Sequence, residues 1–211
     1  MLQGHVVALW TQAASWVLAA TLVILAAVAC SPREVGPMYV LQVDKEADAV
    51  VLRAQSRDLT PRELRSRRTR TLVRRMYATV TDPSQDGVGI AAPQVGENLR
   101  IIWVQRLDKP EEPFECYLNA HLDSLYGEIK VGLEGCLSIP PYRGDVARYQ
   151  DVIVSYVSPE TLKPARDTVH GFTAVIFQHE CDHLDGVLYI DRADTVYIDK
   201  EWEAELAALQ P

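Results

Sequence analysis

The order of the predicted elements indicates an α+β fold. Segments 100–105, 116–120 and 151–157 are short and rich in Ile, Val, Trp and Tyr, which is typical of strands. The run 171–184 has no Gly or Pro inside it and is long enough for a helix. Strands followed by one late helix, without regular strand–helix alternation, favour a layered α+β arrangement over a doubly wound sheet.

Length and composition fit one catalytic domain with a sizeable core. The chain has 211 residues, of which 48% are hydrophobic and 24% are charged. Its formal net charge of −8 argues against a broad nucleic-acid surface, and we expect no DNA partner. The four cysteines lack the spacing of a disulfide framework, so we expect reduced thiols, with a chemical role for Cys136 alone.

An apolar N-terminal segment predicts membrane attachment or a signal sequence. No charged residue occurs from 6 to 32, and the 18 residues from 13 to 30 are mostly apolar. As a helix this run would be about 27 Å long, close to the hydrocarbon thickness of a bilayer. Residues 31–37 contain two prolines and a glycine and are interpreted as a linker. We therefore divide the chain into a signal or anchor with its linker, 1–37, and a metal-dependent domain, 38–211.

Several interpretations of this segment stay open. A cleaved export signal normally begins with basic residues, and residues 1–5 contain no Lys or Arg. A lipoprotein signal ends in small residues before a cysteine, so Cys30 is a candidate lipid anchor. An uncleaved anchor through residues 6–30 would place the arginine-rich catalytic side in the cytoplasm. A mis-assigned start codon and a buried hydrophobic helix are the remaining alternatives.

A basic helix is predicted after the linker. Thr60 and Glu63 form a capping box with Pro at the first helical position, and the helix must end before Asp82-Pro83. Its apolar residues recur near helical spacing, which leaves the arginines on the outer face. Residues 53–75 contain nine Arg and two acids, a charge of +7, so the remainder carries −15. Such a face is either simply solvated or contacts the ribosome or an anionic membrane surface.

The strongest chemical signal is the pair His179 and His183. Two histidines four positions apart on a helix project from one face, where one metal ion can bridge them. Three apolar residues share this face by helical spacing, and they are Phe172, Val175 and Ile176. They either line a pocket that receives a long unbranched side chain or pack the core.

A tetrahedral metal with one open position needs a third protein ligand. Downstream of the histidines the sequence offers Asp185, Asp191 and Asp194. Upstream it offers Cys136, which follows a glycine and precedes a Pro-Pro turn. A buried cysteine is more often inert packing than a ligand, so this reasoning alone leaves both alternatives open.

A segment rich in glycine and alanine lies at 87–94. Two Gly and two Ala leave its backbone with little side-chain cover, as expected where a ligand or another backbone approaches closely. Gln94 ends the segment as a neutral hydrogen-bond donor. The segment is not a dinucleotide-binding fingerprint, because the third Gly is absent at the required spacing.

Three motifs, in this order, resemble those of peptide deformylases. They are GVGIAAPQ at 87–94, EGCLS at 134–138 and QHECDH at 178–183. The resemblance covers residues 53–191 and implies the family's α+β fold, with short antiparallel strands around a central metal-binding helix. It also implies a ferrous ion, replaceable by Zn²⁺, Ni²⁺ or Co²⁺, and hydrolytic removal of formyl from N-formylmethionyl peptides with release of formate.

The resemblance implies a role for each candidate site residue. The metal ligands would be Cys136, His179 and His183. Glu180 would be the acid–base catalyst, and Gln94 with the Leu137 backbone N–H would stabilise the oxyanion. The peptide contacts would be Gly89 for the backbone, Val88, Phe172, Val175 and Ile176 for the methionine pocket, and Arg143 near its mouth. Asn119-Ala120 replaces the family's usual Asn-Pro, which should change only a strand end.

Two alternative functions differ in testable ways. A zinc endopeptidase shares the His-Glu-x-x-His helix but normally takes its third ligand downstream. A membrane-tethered metal-binding protein without catalysis is the second alternative. Comparing a formyl-Met peptide with an acetyl-Met peptide and an unmodified protein as substrates would separate all three.

Overall fold

The computed structural model describes residues 36–85 and 87–200. The predicted apolar segment, 6–30, and its candidate anchor Cys30 lie outside these residues. Among the helices within 36–85 and 87–200, none is long and apolar enough to cross a membrane.

The described chain forms four α-helices, six strands and two short 3₁₀ helices. The α-helices are α1 (Glu46–Leu52), α2 (Pro61–Leu64), α3 (Arg67–Val80) and α4 (Gly171–Leu184). The strands are β1 (Gly89–Ala91), β2 (Ile101–Gln105), β3 (Phe114–Gly135), β4 (Tyr142–Val157), β5 (Pro164–His170) and β6 (Val196–Ile198). The 3₁₀ helices are Ala92–Val95 and Tyr189–Asp191.

All six strands belong to one antiparallel sheet in the order β1-β2-β3-β4-β5, with β6 paired to β4. Alternate residues of β2 enter two different core clusters. Ile102 and Val104 pack with Phe177 of α4, whereas Ile101 packs with Met76 of α3. The sheet therefore lies between α4 and α3, and the predicted α+β class is confirmed.

The predicted basic helix is divided into two helices. The capping box at Thr60 is present, but α2 ends at Leu64, after one turn. Ser66 then caps α3, because its hydroxyl accepts a hydrogen bond from the Thr69 N–H at 3.0 Å. The prediction of one continuous helix from Pro61 is therefore wrong, because Ser66 provides a second N-cap.

The β3–β4 hairpin and α4 position the chemistry. Helix α4 begins at Gly171, where φ is +62°, and its bounds match the predicted run 171–184. Strand β3 is far longer than the predicted segment 116–120 and ends directly before Cys136. Asn119 lies inside β3 at a register shift with φ +50°, so the expected strand end at this position is wrong.

Candidate active site

Two distant segments bring the three predicted metal ligands together. Cys136 follows the end of β3, whereas His179 and His183 project from α4. One donor atom from each of the three residues lies within 4.8 Å of the others, and Cys136 Sγ and His183 Nε2 are 3.2 Å apart. His183 is 1% exposed, so the cluster lies at the bottom of the site.

This donor set fits a divalent transition metal. Donors about 2.0–2.3 Å from one tetrahedral ion lie roughly 3.5 Å from each other, which is close to the spacing found here. One thiol and two imidazoles suit Fe²⁺, Zn²⁺, Ni²⁺ or Co²⁺ better than Mg²⁺ or Ca²⁺. Two of the downstream alternatives are engaged elsewhere, because Asp185 pairs with Arg100 and Asp191 with Arg53. Among the described residues the ligand cluster does not include the third, Asp194.

Glu134 orients one of the two imidazoles. Its Oε2 accepts a hydrogen bond from His179 Nδ1 at 2.8 Å, which leaves Nε2 as the donor atom available to a metal. Burial opposes ionisation of Glu134, yet the hydrogen bonds from His179 and Arg148 lower its pKa to about 2. Burial lowers the pKa of His183, which favours the neutral imidazole that a metal requires.

A chain of charged side chains extends from buried Glu134 to the exposed Arg192. Arg148 of β4 donates to Glu134 at 2.7 Å and to Asp182 at 2.6 Å, and Arg192 also donates to Asp182 at 2.6 Å. We call Glu134, Arg148, Asp182 and Arg192 the charge chain. Sequence reasoning gave none of them a role. The sequence signal that could have indicated this chain is Glu134, two residues before the ligand Cys136. A carboxylate this close to a buried ligand needs a hydrogen-bond or ion-pair partner.

Glu180 is a buried carboxylate pressed against bare backbone. It is 4% exposed, and its Oε2 has no hydrogen-bond partner among the described residues. Burial raises its pKa to about 7 against the opposing effect of His179. A Cβ added at Gly89 would lie 2.5 Å from Glu180 Oε1, which explains the glycine at this position. A carboxyl group with a pKa near neutrality can both accept and return a proton.

Gln94 is held with its amide N–H₂ toward the cluster. Its Oε1 accepts a hydrogen bond from the Ala91 N–H at 2.8 Å, which fixes the orientation of the amide. Its Nε2 lies 3.5 Å from Cys136 Sγ and 3.3 Å from Ser138 Oγ. The side chain of Gln42 donates to the Leu137 carbonyl at 3.1 Å, so a second segment supports the turn that follows Cys136.

An open cavity of about 820 Å³ contains the predicted site. Of the predicted site residues, eleven line it, and they are Val88, Gly89, Gln94, Cys136, Leu137, Arg143, Phe172, Val175, Ile176, His179 and Glu180. Only His183 lies behind the wall. Ile176 is buried, whereas Phe172 is 54% exposed and belongs to the rim. Arg143 donates to Asp199 at 2.8 Å and covers Gly135.

Comparisons with known proteins identify the family. The sequence model described as polypeptide deformylase matches residues 38–197. The chain belongs to the polypeptide deformylase family. Peptide deformylase from Symbiobacterium thermophilum is 37% identical over 181 residues, which cover 82% of this chain and 78% of that protein. Peptide deformylase from Desulforudis audaxviator is 36% identical over 166 residues, which cover 78% of this chain and all of that protein.

Solved deformylase structures share the fold. A class I type b peptide deformylase from Acinetobacter baumannii, crystallised with Met-Ala-Ser, aligns with a TM-score of 0.65 at 32% identity. The alignment covers 74% of this chain and 99% of that chain. Peptide deformylase from Thermotoga maritima gives a TM-score of 0.65 at 30% identity over 75% of this chain and 99% of its own. The family is metal-dependent, in agreement with the Cys, His, His cluster.

Proposed function

We propose that the protein removes the formyl group from the N-terminal formylmethionine of newly made peptides and releases formate. The observation that carries this proposal is the buried carboxylate of Glu180 beside the Cys136, His179 and His183 cluster, inside a cavity wide enough for a peptide. Family membership and a relative crystallised with Met-Ala-Ser support it.

In this proposal Cys136, His179 and His183 hold one divalent ion, with Fe²⁺ the physiological metal and Zn²⁺, Ni²⁺ or Co²⁺ as substitutes. The bound ion supplies a Lewis acid that polarises the formyl carbonyl and makes water a stronger nucleophile at neutral pH. The thiolate is a soft ligand, which favours Fe²⁺ over a hard cation such as Mg²⁺. Glu134 holds the His179 ring in the orientation that this ligation needs.

Glu180 moves the protons of the reaction. As a carboxylate it accepts a proton from water as the oxygen attacks the formyl carbon, and it then returns this proton to the leaving amine. Its raised pKa, about 7, suits both halves of the cycle near neutral pH. Gln94 Nε2 and the Leu137 N–H donate to the oxygen on which negative charge develops.

The peptide binds as an added strand in this proposal. Within the described chain β1 pairs only with β2, so the edge that contains Gly89 is available for main-chain hydrogen bonds. The methionine side chain occupies the apolar part of the cavity beside Val175 and Ile176, with Val88 and Phe172 nearer the rim. Arg143 contributes at the mouth, although its ion pair with Asp199 limits its freedom.

Formate release from formyl-Met-Ala-Ser tests the function. Acetyl-Met-Ala-Ser and an unmodified protein serve as control substrates, and we expect rapid turnover of the formyl peptide alone. Glu180→Gln should retain the metal and lose most turnover, because an amide cannot accept the proton. Cleavage of the unmodified protein would favour the zinc endopeptidase, and bound metal without any turnover would favour the non-catalytic protein.

We further propose that the catalytic domain faces the cytoplasm, where formylated peptides emerge from ribosomes, and that residues 6–30 attach it to a membrane. A lipoprotein anchored at Cys30 is the alternative. The mostly apolar, uncharged run 13–30 supports attachment. Cell fractionation and the mass of the mature N-terminus test both versions, since lipid attachment at Cys30 requires cleavage before it. An intact N-terminus in the soluble fraction would contradict both.

A further inference from the structure

The outer face of α2 and α3 is a basic surface on the described domain. It consists of six exposed arginines, which are Arg62, Arg65, Arg67, Arg70, Arg74 and Arg75. The buried residues of α3 all lie on the opposite side of this helix, against the sheet. Arg67, Arg70 and Arg74 therefore project together away from the core, whereas Arg75 lies at the edge of this face. Arg62 and Arg65 are exposed on the adjacent α2.

None of these six arginines forms an ion pair within the described chain, whereas two neighbours do. Arg57 pairs with Glu63 at 2.7 Å and Arg68 with Glu97 at 2.9 Å. Helix α3 has no acidic residue in its first turn, so Arg67 adds positive charge at the positive end of the helix dipole. Arg70 and Arg74 are like charges one turn apart. Both arrangements destabilise an isolated helix, which points to an anionic partner.

Apolar and aromatic groups adjoin the basic surface. Tyr77 follows Arg74 on the same face, is 44% exposed, and has its ring centroid 4.9 Å from that of Trp103. Beside the other edge of α3 is a shallow cavity of about 370 Å³ with Met38 and Leu72 as its apolar part. Its polar lining is Arg67, Thr71, Arg75 and the ion pair of Arg68 with Glu97. Arginines beside amphipathic rings and an apolar floor match the layered chemistry of a membrane interface.

The chain enters the described domain beside α3, at the edge where the shallow cavity lies. The Met38 N–H donates to Thr79 Oγ1 at 2.8 Å, which ties the start of the domain to α3. Met38 is the eighth residue after Cys30 at the end of the apolar run, and eight residue steps span at most about 28 Å. A membrane-inserted run would therefore keep the basic surface at a high local concentration near the headgroups.

We propose that this basic surface binds the headgroups of anionic phospholipids and holds the catalytic domain against a membrane. RNA also presents phosphates, but the apolar floor and the adjoining apolar run favour lipid. The chain outside residues 53–75 carries −15, so an anionic membrane would repel the other faces and select this orientation. The proposal does not depend on the deformylase activity, because the six arginines lie outside the catalytic cavity.

Hydrogen–deuterium exchange of the full chain in lipid nanodiscs tests the proposal. One set of nanodiscs contains phosphatidylcholine alone, and the other contains added phosphatidylglycerol. We expect slower exchange in 61–80 on phosphatidylglycerol only, and loss of this protection in about 1 M salt. This comparison is valid whether or not residues 6–30 insert, because the protein is the same with both sets and only the charge of the lipid differs.

Two triple variants distinguish an effect of the basic surface from an effect of the protein's net charge. Arg67→Gln with Arg70→Gln and Arg74→Gln should abolish the protection and weaken anionic vesicle binding about 100-fold, at roughly fivefold for each arginine. The matched control, Arg57→Gln with Lys130→Gln and Arg166→Gln, removes three exposed but ion-paired cations and should retain the protection. Both variants should hydrolyse formyl-Met-Ala-Ser at the wild-type rate.

Three outcomes would overturn the proposal. The first is equal exchange on both lipid compositions, and the second is equal loss of protection in both triple variants. The third is binding of a fluorescent RNA oligonucleotide that the Arg67, Arg70 and Arg74 substitutions abolish while lipid has no effect. Loss of formyl-peptide hydrolysis in all proteins, by contrast, would refute the proposed function and leave the lipid measurement valid.

Discussion

Gly89→Ala tests whether Glu180 acts from the position found here. The added Cβ would lie 2.5 Å from Glu180 Oε1 and 2.9 Å from its Cδ. An ordinary contact needs about 3.4 Å, so the carboxylate must move by roughly 0.9 Å. A displacement of about 1 Å in a catalytic group can reduce the rate about 100-fold, or about 2.7 kcal/mol of transition-state stabilisation. We therefore expect kcat/KM to fall by about two orders of magnitude while the metal stays bound.

The assay is formate release from formyl-Met-Ala-Ser by the Ni²⁺-loaded enzyme, with metal content measured on the same samples. Gly132→Ala is the matched control, because nothing lies within 4 Å of a Cβ at that exposed position of β3. Gly87→Ala should fall between the two, since the tightest contact of its Cβ is the flexible end of the Leu137 side chain, at 3.0 Å, and its contact with Val80 at 3.5 Å is ordinary. Activity of Gly89→Ala within about threefold of wild type would refute the assigned position of Glu180.

Other perturbations test the charge chain, the acid response and the metal. Arg148→Ala leaves Glu134 and Asp182 without a shared buried partner, so the free energy of unfolding in urea should fall by about 3–5 kcal/mol; unchanged stability would contradict this role. The Arg106 guanidinium lowers the pKa of Asp108, so this contribution is complete above the ordinary pKa and disappears as pH falls through the lowered one. Asp108→Asn should therefore lose less stability than wild type as pH falls below about 4 in urea titrations, and parallel curves for the two proteins would exclude this contribution. The Fe²⁺ enzyme should lose activity in air, whereas Ni²⁺ or Co²⁺ should prevent the loss; identical decay of all three forms would argue against a Cys136 thiolate ligand.

Local sequence patterns predicted the elements that carry the chemistry. Helix α4 was readable because its run has no internal Gly or Pro and ends in the paired histidines. The capping box at Thr60 located the start of α2 for the same reason, since its signal lies within four residues. The break before α3 depends on Ser66 as a second cap, a signal that the continuous apolar spacing obscured.

The long β3–β4 hairpin could not be predicted from local sequence patterns. Residues 121–133 of β3 are mostly exposed on both faces, so they lack the alternation that identifies a strand. Their conformation depends on pairing with β4, for example Lys130 with Arg148. The periodicity of one segment does not indicate which other segment pairs with it, so it could not predict this pairing.

The same hairpin explains how the site is held together before any metal binds. Glu134 belongs to β3, Arg148 to β4 and Asp182 to α4, so the charge chain links the strand that precedes Cys136 to the helix that carries the histidines. Glu134 contacts both Arg148 and the ring of His179, so the same carboxylate supports the fold and orients a ligand. Buried ion pairs add little net stability over apolar packing, but they penalise any arrangement that separates the partners. The cluster therefore owes its geometry to a fixed alignment of hairpin and helix, which spacing along the sequence could not reveal.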